Sequence, residues 1–191
     1  MPQTITEQLS NGAVGAMATD TIYGLVCSAA SRTAVTRLYE LKDRHGKPGT
    51  VIAANIEQLV GLGLKKRYLT AVETYWPNPI SVIVPSEPAL AYLDQGKGTL
   101  AVRLPKDVWL QKLLLQTGPL LTSSANQPGQ PPATTIKEAK DYFGDKLDFY
   151  EDGGNLAAHQ ASTVIRVVDD AVVVLRQGAI KIDEETGEIL K

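Results

Sequence analysis

The sequence predicts an α/β fold: a single domain with a twisted, open mixed sheet and helices packed on it. Apolar runs and helical patterns alternate along the 191 residues, as they do where one sheet is layered with helices. The last two apolar runs, STVIRVV and AVVVLR, read as a hairpin around Asp169 and Asp170, so the sheet is mixed rather than purely parallel. Polar clusters follow strands at Thr19 to Thr21, at Arg103 and at Ser123 to Asn126, and strand ends are where open α/β sheets hold their ligands.

The elements come in this order. GAVGAM, residues 12–17, is a buried strand that leads into a polar turn at 18–21. Ser31 caps a helix that sets Ala34, Val35, Leu38 and Leu41 on one face. TVIAA at 50–54 is the next strand, and Asn55 with Gln58 makes a capping-box pattern that opens a short helix. Residues 65–76 are expected to be helical and to stop before Pro77. ISVIV at 80–84 and TLAVRL at 99–104 read as strands, and 107–116 as an amphipathic helix. PLLT at 119–122 is a strand, 135–143 a helix, and Gly178 ends the regular pattern after the hairpin. The domain is expected to span 1–180, with 181–191 a tail that forms a short hairpin or frays.

A chain of this length builds one sizeable core, and 43% apolar with 21% charged residues is globular rather than disordered composition. The balance of 19 basic and 21 acidic residues gives −2, so any nucleic-acid role rests on a local patch. The single cysteine, Cys27, rules out an internal disulfide and points to a reducing compartment. MPQTITEQLS has no basic segment followed by an apolar stretch, and no apolar run reaches membrane-spanning length. A cytoplasmic location is therefore expected.

The densest basic cluster is LKDRHGK, with Lys42, Arg44, His45 and Lys47 at a helix end. It is either a solvated cap that complements the helix dipole or a phosphate clamp. Arg103 and Arg176 each close an apolar β-run, and together with the cluster they suit an anionic ligand with several phosphate or carboxylate groups. Hydroxyl-rich stretches at Thr19 to Thr21, Thr122 to Ser124 and Ser162 to Thr163 could orient such a ligand or merely cap their own turns. Two histidines and one thiol leave no zinc-ligand spacing, no Gly-x-Ser-x-Gly elbow is present, and GLGLKK lacks the spacing of a Walker loop. Composition and spacing reach a polyanion-binding α/β pocket.

Seven blocks add a resemblance: ATDTIYGLVCSA (18–29), LKDRHGKP (41–48), WPNPISVIVP (76–85), LAVRLP (100–105), GPLLTSSANQPGQPP (118–132), ASTVIRV (161–167) and VLRQG (174–178). Their residues and order resemble the YrdC-like family of L-threonylcarbamoyladenylate synthases, over nearly the whole chain up to Ile180. Ala18 and Ala161 stand where that family usually has proline, Asn78 where it has glycine and Ser81 where it has threonine, and the loop after Arg44 is one residue shorter. The resemblance implies a deep basic cavity in which L-threonine, bicarbonate and ATP become threonylcarbamoyl-AMP and pyrophosphate, for the threonylcarbamoyladenosine modification of tRNA.

By resemblance, Lys42 and Arg44 are the catalytic pair on the ATP phosphates, with Lys47 as a third cation. Thr99, Thr122, Ser124, Asn126 and Arg176 contact the nucleotide or the carbamoyl adenylate; Thr19, Arg103 and Ser162 hold threonine, with Arg103 on its carboxylate. Mg2+ is expected with ATP, without a carboxylate cage; Asp20 is at most an indirect contributor. The partners implied are the three substrates and downstream proteins that transfer the threonylcarbamoyl group to tRNA. Weak binding of tRNA itself is left open, and no membrane is expected. Two alternatives stand beside this reading: an RNA-binding module of the same fold, and a relative that handles carbamoyl adenylate from carbamoyl phosphate.

Overall fold

The computed structural model describes residues 3–169 and 171–190, so Asp170 of the expected turn and Lys191 lie outside the description. The strands are β1 (Gly15–Ala18), β2 (Tyr23–Ser28), β3 (Thr50–Ile52), β4 (Ile80–Pro85), β5 (Thr99–Arg103), β6 (Leu120–Ser124), β7 (Phe149–Glu151), β8 (Thr163–Val168) and β9 (Ala171–Arg176). The helices are α1 (Ile5–Ser10), α2 (Arg32–Leu41), α3 (Ile56–Leu62), α4 (Lys66–Thr70), α5 (Ala91–Asp94), α6 (Val108–Thr117) and α7 (Ile136–Phe143). All nine strands join one sheet in the order β7-β1-β2-β6-β3-β5-β4-β8-β9. Pairs β1–β7, β3–β5 and β4–β8 are parallel and the rest antiparallel, so the sheet is mixed, as expected.

Local chemistry explains most boundaries. Ser31, Asn55, Asp107 and Thr135 each accept a backbone N–H from the first turn of the helix they precede. The helix expected over 65–76 is instead α4 followed by a 3-10 turn, Glu73–Tyr75. The Thr70 hydroxyl bonds back to the Lys66 and Arg67 carbonyls, competing with the ladder, and Val72 leaves helical geometry (φ −123°, ψ 10°) to enter the core. Strand β2 comes directly after the polar turn at 18–21 and has no pattern of its own to mark it. It is buried on both faces, and YGLVCS therefore shows none of the alternation of a half-buried strand. The three-residue β7 and the short α1 and α5 are likewise too brief for pattern reading to detect.

The two faces of the sheet are covered unequally. Ala16, Leu25, Val51, Leu121, Val102, Val82 and Ile165 belong to the larger core. On that side α2 packs against β2, α7 against β1, α4 against β4 and α5 against β5. The opposite alternation carries Met17, Val26, Ile52 and Leu120, packed under Leu9 of α1 and Leu110, Leu113 and Leu114 of α6. These two helices cover one end of that face only. Moving along β6 from Leu120, the same face continues as Thr122 and Ser124; moving across from Ile52, the register leads to Arg103 of β5. The uncovered part is polar.

The tail is anchored. Ile182 is 1% exposed and bridges Ile189 in antiparallel fashion. The Gln177 amide donates to the Ile182 carbonyl at 2.7 Å, and the Tyr75 hydroxyl donates to the Gly187 carbonyl at 3.1 Å.

Candidate active site

The uncovered part of the second face holds a cavity of about 110 Å³, bounded by the β1–β2 turn, the 44–50 segment, the ends of β5 and β6, and the Ser162–Arg176 junction. It lies across the sheet face rather than along one edge of strand ends. The cause is the incomplete cover by α1 and α6.

A continuous polar network crosses its floor. Asp20 holds Arg103 bidentately, Oδ1 to Nη2 at 2.8 Å and Oδ2 to Nε at 3.1 Å, with the two side chains 6% and 4% exposed. Arg103 Nη1 donates to Ser81 Oγ at 3.2 Å, and Ser81 donates to Ser162 Oγ at 2.9 Å. Arg176 grips the same residue, donating to the Ser162 carbonyl from Nε (3.1 Å) and Nη2 (2.8 Å) and to Ser162 Oγ at 3.2 Å. Ser162 Oγ thus receives two donors, which leaves its own proton to offer to a ligand acceptor.

Arg44 closes the other side. Its Nη1 donates to Ser123 Oγ at 3.0 Å, its Nη2 to the Pro48 carbonyl at 3.2 Å and its Nε to the Lys47 carbonyl. Desolvation lowers the Arg44 guanidinium, and desolvation followed by Arg103 and Arg44 lowers that of Arg176. Three guanidiniums line one small space whose described lining holds no carboxylate, and Asp20 beside it is already taken by Arg103. Such a space favours an anion. Thr19 Oγ1 donates to the Ile22 carbonyl at 2.7 Å and lies 3.0 Å from Thr21 Oγ1 at the cavity mouth.

Of the residues expected at the site, Thr19, Arg44, Arg103, Thr122, Ser124, Ser162 and Arg176 line this cavity. Lys42, expected on the ATP phosphates, does not. It is 5% exposed and donates to the Ser124 carbonyl (2.9 Å), to Asn126 Oδ1 (2.8 Å) and to the Asn126 carbonyl. The tight turn after β6 gathers three oxygen acceptors in one place, and an ammonium with three donors bonds all of them. Burial, then the neighbouring Arg44, pushes Lys42 down to about 8. Asn126 likewise faces its own turn: Oδ1 accepts from Ser124 Oγ at 2.6 Å, and Nδ2 donates to the Gln130 carbonyl at 2.7 Å. Lys47 is exposed and off the wall. Thr99 lies at the far end of β5 from Arg103 but on the same face, and the β3–β5 register extends to set it beside Pro48.

Several wall residues were not singled out from sequence: Pro48, Thr50 and two glycines. A Cβ on Gly24 would lie 2.5 Å from Thr122 Oγ1, and one on Gly49 would lie 2.6 Å from the Thr122 carbonyl. A glycine inside the strand YGLV signals such a close approach, and it could have been read that way. Among the described residues no group of three His, Cys, Asp or Glu side chains could hold a metal ion, and Asp20 is committed to Arg103. The described residues offer no protein-built magnesium site.

The comparisons agree with this architecture. A threonylcarbamoyl-AMP synthase of Pseudomonas aeruginosa is 35% identical over 168 residues, covering 86% of this chain and 90% of that protein. The crystal structure of P. abyssi Sua5 complexed with L-threonine superposes with a TM-score of 0.81 at 28% identity, over 92% of this chain and 53% of that one. E. coli YciO superposes with a TM-score of 0.77 at 25% identity, over 91% and 86% of the two chains. Residues 7–178 match the family described as telomere recombination, which groups Sua5, YciO and YrdC. The chain belongs to the Sua5/YciO/YrdC family.

Proposed function

We propose that this protein is a threonylcarbamoyl-AMP synthase, an enzyme that joins L-threonine, bicarbonate and ATP into threonylcarbamoyladenylate with release of pyrophosphate. The observation that carries the reading is the convergence of Arg44, Arg103 and Arg176 on a cavity whose floor ends in a free Ser162 proton. The resemblance of the whole chain to threonylcarbamoyl-AMP synthases supports it.

In the reaction, the threonine amine adds to bicarbonate, losing water, to give a carbamate. A carbamate oxygen then attacks the α-phosphorus of ATP; the bond from that phosphorus to the bridging oxygen breaks, and pyrophosphate leaves with the electron pair. Each reacting group is anionic, so charge neutralisation and positioning account for most of the work, and a covalent nucleophile is unnecessary. Arg103 and Ser162 are assigned to the threonine end, with Thr19 over its side chain; Arg44 and Arg176 are assigned to the phosphates. Lys42 and Asn126 act through the turn they hold, which presents Ser124 to the adenylate. Thr99 and Lys47, which lie outside the cavity lining, are assigned to the outer reaches of the nucleotide, and Thr122 bounds the floor. Magnesium enters as part of the MgATP substrate. The product is passed to proteins that modify tRNA.

The test is incubation of purified protein with labelled bicarbonate, ATP and threonine. A labelled adenylate that needs threonine, with matching pyrophosphate, is expected; product formation indifferent to threonine would overturn the reading.

A further inference from the structure

We propose that Lys97, outside the motif blocks, is a further phosphate-contacting residue, meeting the triphosphate of ATP and the pyrophosphate derived from it beside the 43–48 loop. The proposal rests on the synthase reading and adds to it a cation from outside the loop. Of the basic residues in LKDRHGKP only Arg44 lines the cavity, because Lys42 spends all three donors on the turn after β6.

The position of Lys97 is built rather than incidental. Gln95, Gly96 and Gly98 all have positive φ (53°, 76° and 69°), forming a tight turn with Lys97 at its tip. The Gln95 side chain docks that turn on the loop, its Oε1 accepting the Gly46 N–H at 2.5 Å. The ammonium of Lys97 then reaches over Gly46: a Cβ there would lie 3.5 Å from Nζ and 3.7 Å from Cε. The lysine thus lies in van der Waals contact with the loop at Gly46, whose φ of +63° favours glycine. Two residues after Lys97, Thr99 starts β5 on the face that carries Arg103.

The nearby carboxylates are occupied elsewhere. Asp94 accepts from Gly96 N at 2.7 Å and from Ser86 Oγ, and Asp43 is turned to His45 at 3.3 Å. Among the described residues Lys97 has no ion-pair partner, unlike Lys65 and Lys137. A cation placed by a docked turn, unneutralised and over Gly46 of the loop that carries Arg44, suits a polyanion arriving over that loop.

Calorimetric titrations with ATP and with inorganic pyrophosphate test this, using Lys97→Glu, Lys97→Arg and, as a control for net charge, the exposed Lys112→Glu. Lys97→Glu is expected to weaken both ligands by about tenfold or more, Lys97→Arg to stay within about twofold, and threonine binding to be unmoved. ATP binding within about twofold of wild type in Lys97→Glu would overturn the assignment, as would equal weakening by Lys112→Glu. If the wild type shows this Lys97-dependent binding yet makes no threonine-dependent labelled adenylate, the phosphate contact stands and the synthase reading falls.

Discussion

Ser81 and Ser162 lie 81 positions apart in sequence, yet their hydroxyls meet at 2.9 Å between two arginines. Arg103 donates to Ser81, Ser81 donates to Ser162 and Arg176 donates to Ser162 as well, so this run of donors ends on Ser162. Ser162→Ala removes the only hydroxyl proton that this network leaves over for a ligand. The threonine KM should rise by about ten- to a hundredfold, with a smaller change in the ATP KM, as steady-state titration of each substrate would reveal. Equal shifts for both substrates would count against the assignment of Ser162 to threonine.

Threonine's own hydroxyl needs a polar partner in such a site. Serine should therefore replace threonine better than valine does, by about 1–3 kcal/mol in kcat/KM, measured by competing the amino acids against labelled bicarbonate incorporation. Equal turnover of threonine and valine would remove the case for hydroxyl reading.

The Asp20–Arg103 pair predicts a stability effect separable from activity. Asp20→Ala leaves a buried guanidinium without its carboxylate, and a loss of about 3–5 kcal/mol in urea unfolding is expected. Threonine should restore more thermal stability to this variant than to the wild type, since its carboxylate can fill the gap beside Arg103.

Lys42 and Arg44 should respond differently to truncation. Lys42→Met takes charge-assisted bonds from the Ser124 and Asn126 carbonyls and from Asn126 Oδ1, of which the first keeps the Asn126 N–H and the last the Ser124 hydroxyl, and should cost about 1–3 kcal/mol of stability as well as activity. Arg44→Ala, from a half-buried side chain on the cavity wall, should reduce pyrophosphate release with little change in unfolding midpoint. Equal stability of both variants would mean that Lys42 does not organise the turn.

Lys42 also carries a pH dependence. Its folded value of about 8 lies below the ordinary 10.5, so between these values the unfolded chain binds more protons than the folded one. The cost of burying its charge is therefore felt in full below 8, and stability from this group rises with pH across the window up to 10.5. Over the same range a neutral amine keeps two donors for three acceptors, and activity should decline. Both trends should vanish in Lys42→Met, as unfolding and rate profiles from pH 7 to about 10 would reveal.

What could be read from sequence was what local chemistry controls. The caps at Ser31, Asn55, Asp107 and Thr135, the strands around Val82, Val102 and Leu121, and the final hairpin all announce themselves within a few residues. Arg103 and Arg176 were legible because each ends an apolar run, and Arg44 because it stands in the densest basic cluster. The role of Lys42 was not, because its acceptors lie 82 and 84 positions away and nothing beside it in the chain distinguishes a buried ammonium from a solvated one. The placement of the cavity was hidden for a related reason: it depends on how far α1 and α6 reach across the sheet, a matter of packing rather than pattern.

The anchoring of the last residues gives them a part in the chemistry at a distance. Gln177 is the immediate neighbour of Arg176, and its amide is tied to Ile182; Thr163, next to Ser162, donates to the Ile180 carbonyl. The end of the chain works as a keystone for the two residues that finish that run of donors. A protease that clipped the bond after Ala179 would touch no ligand, yet it should slacken both grips at once. Its first symptom would be a poorer fit for threonine, well before any loss of overall fold.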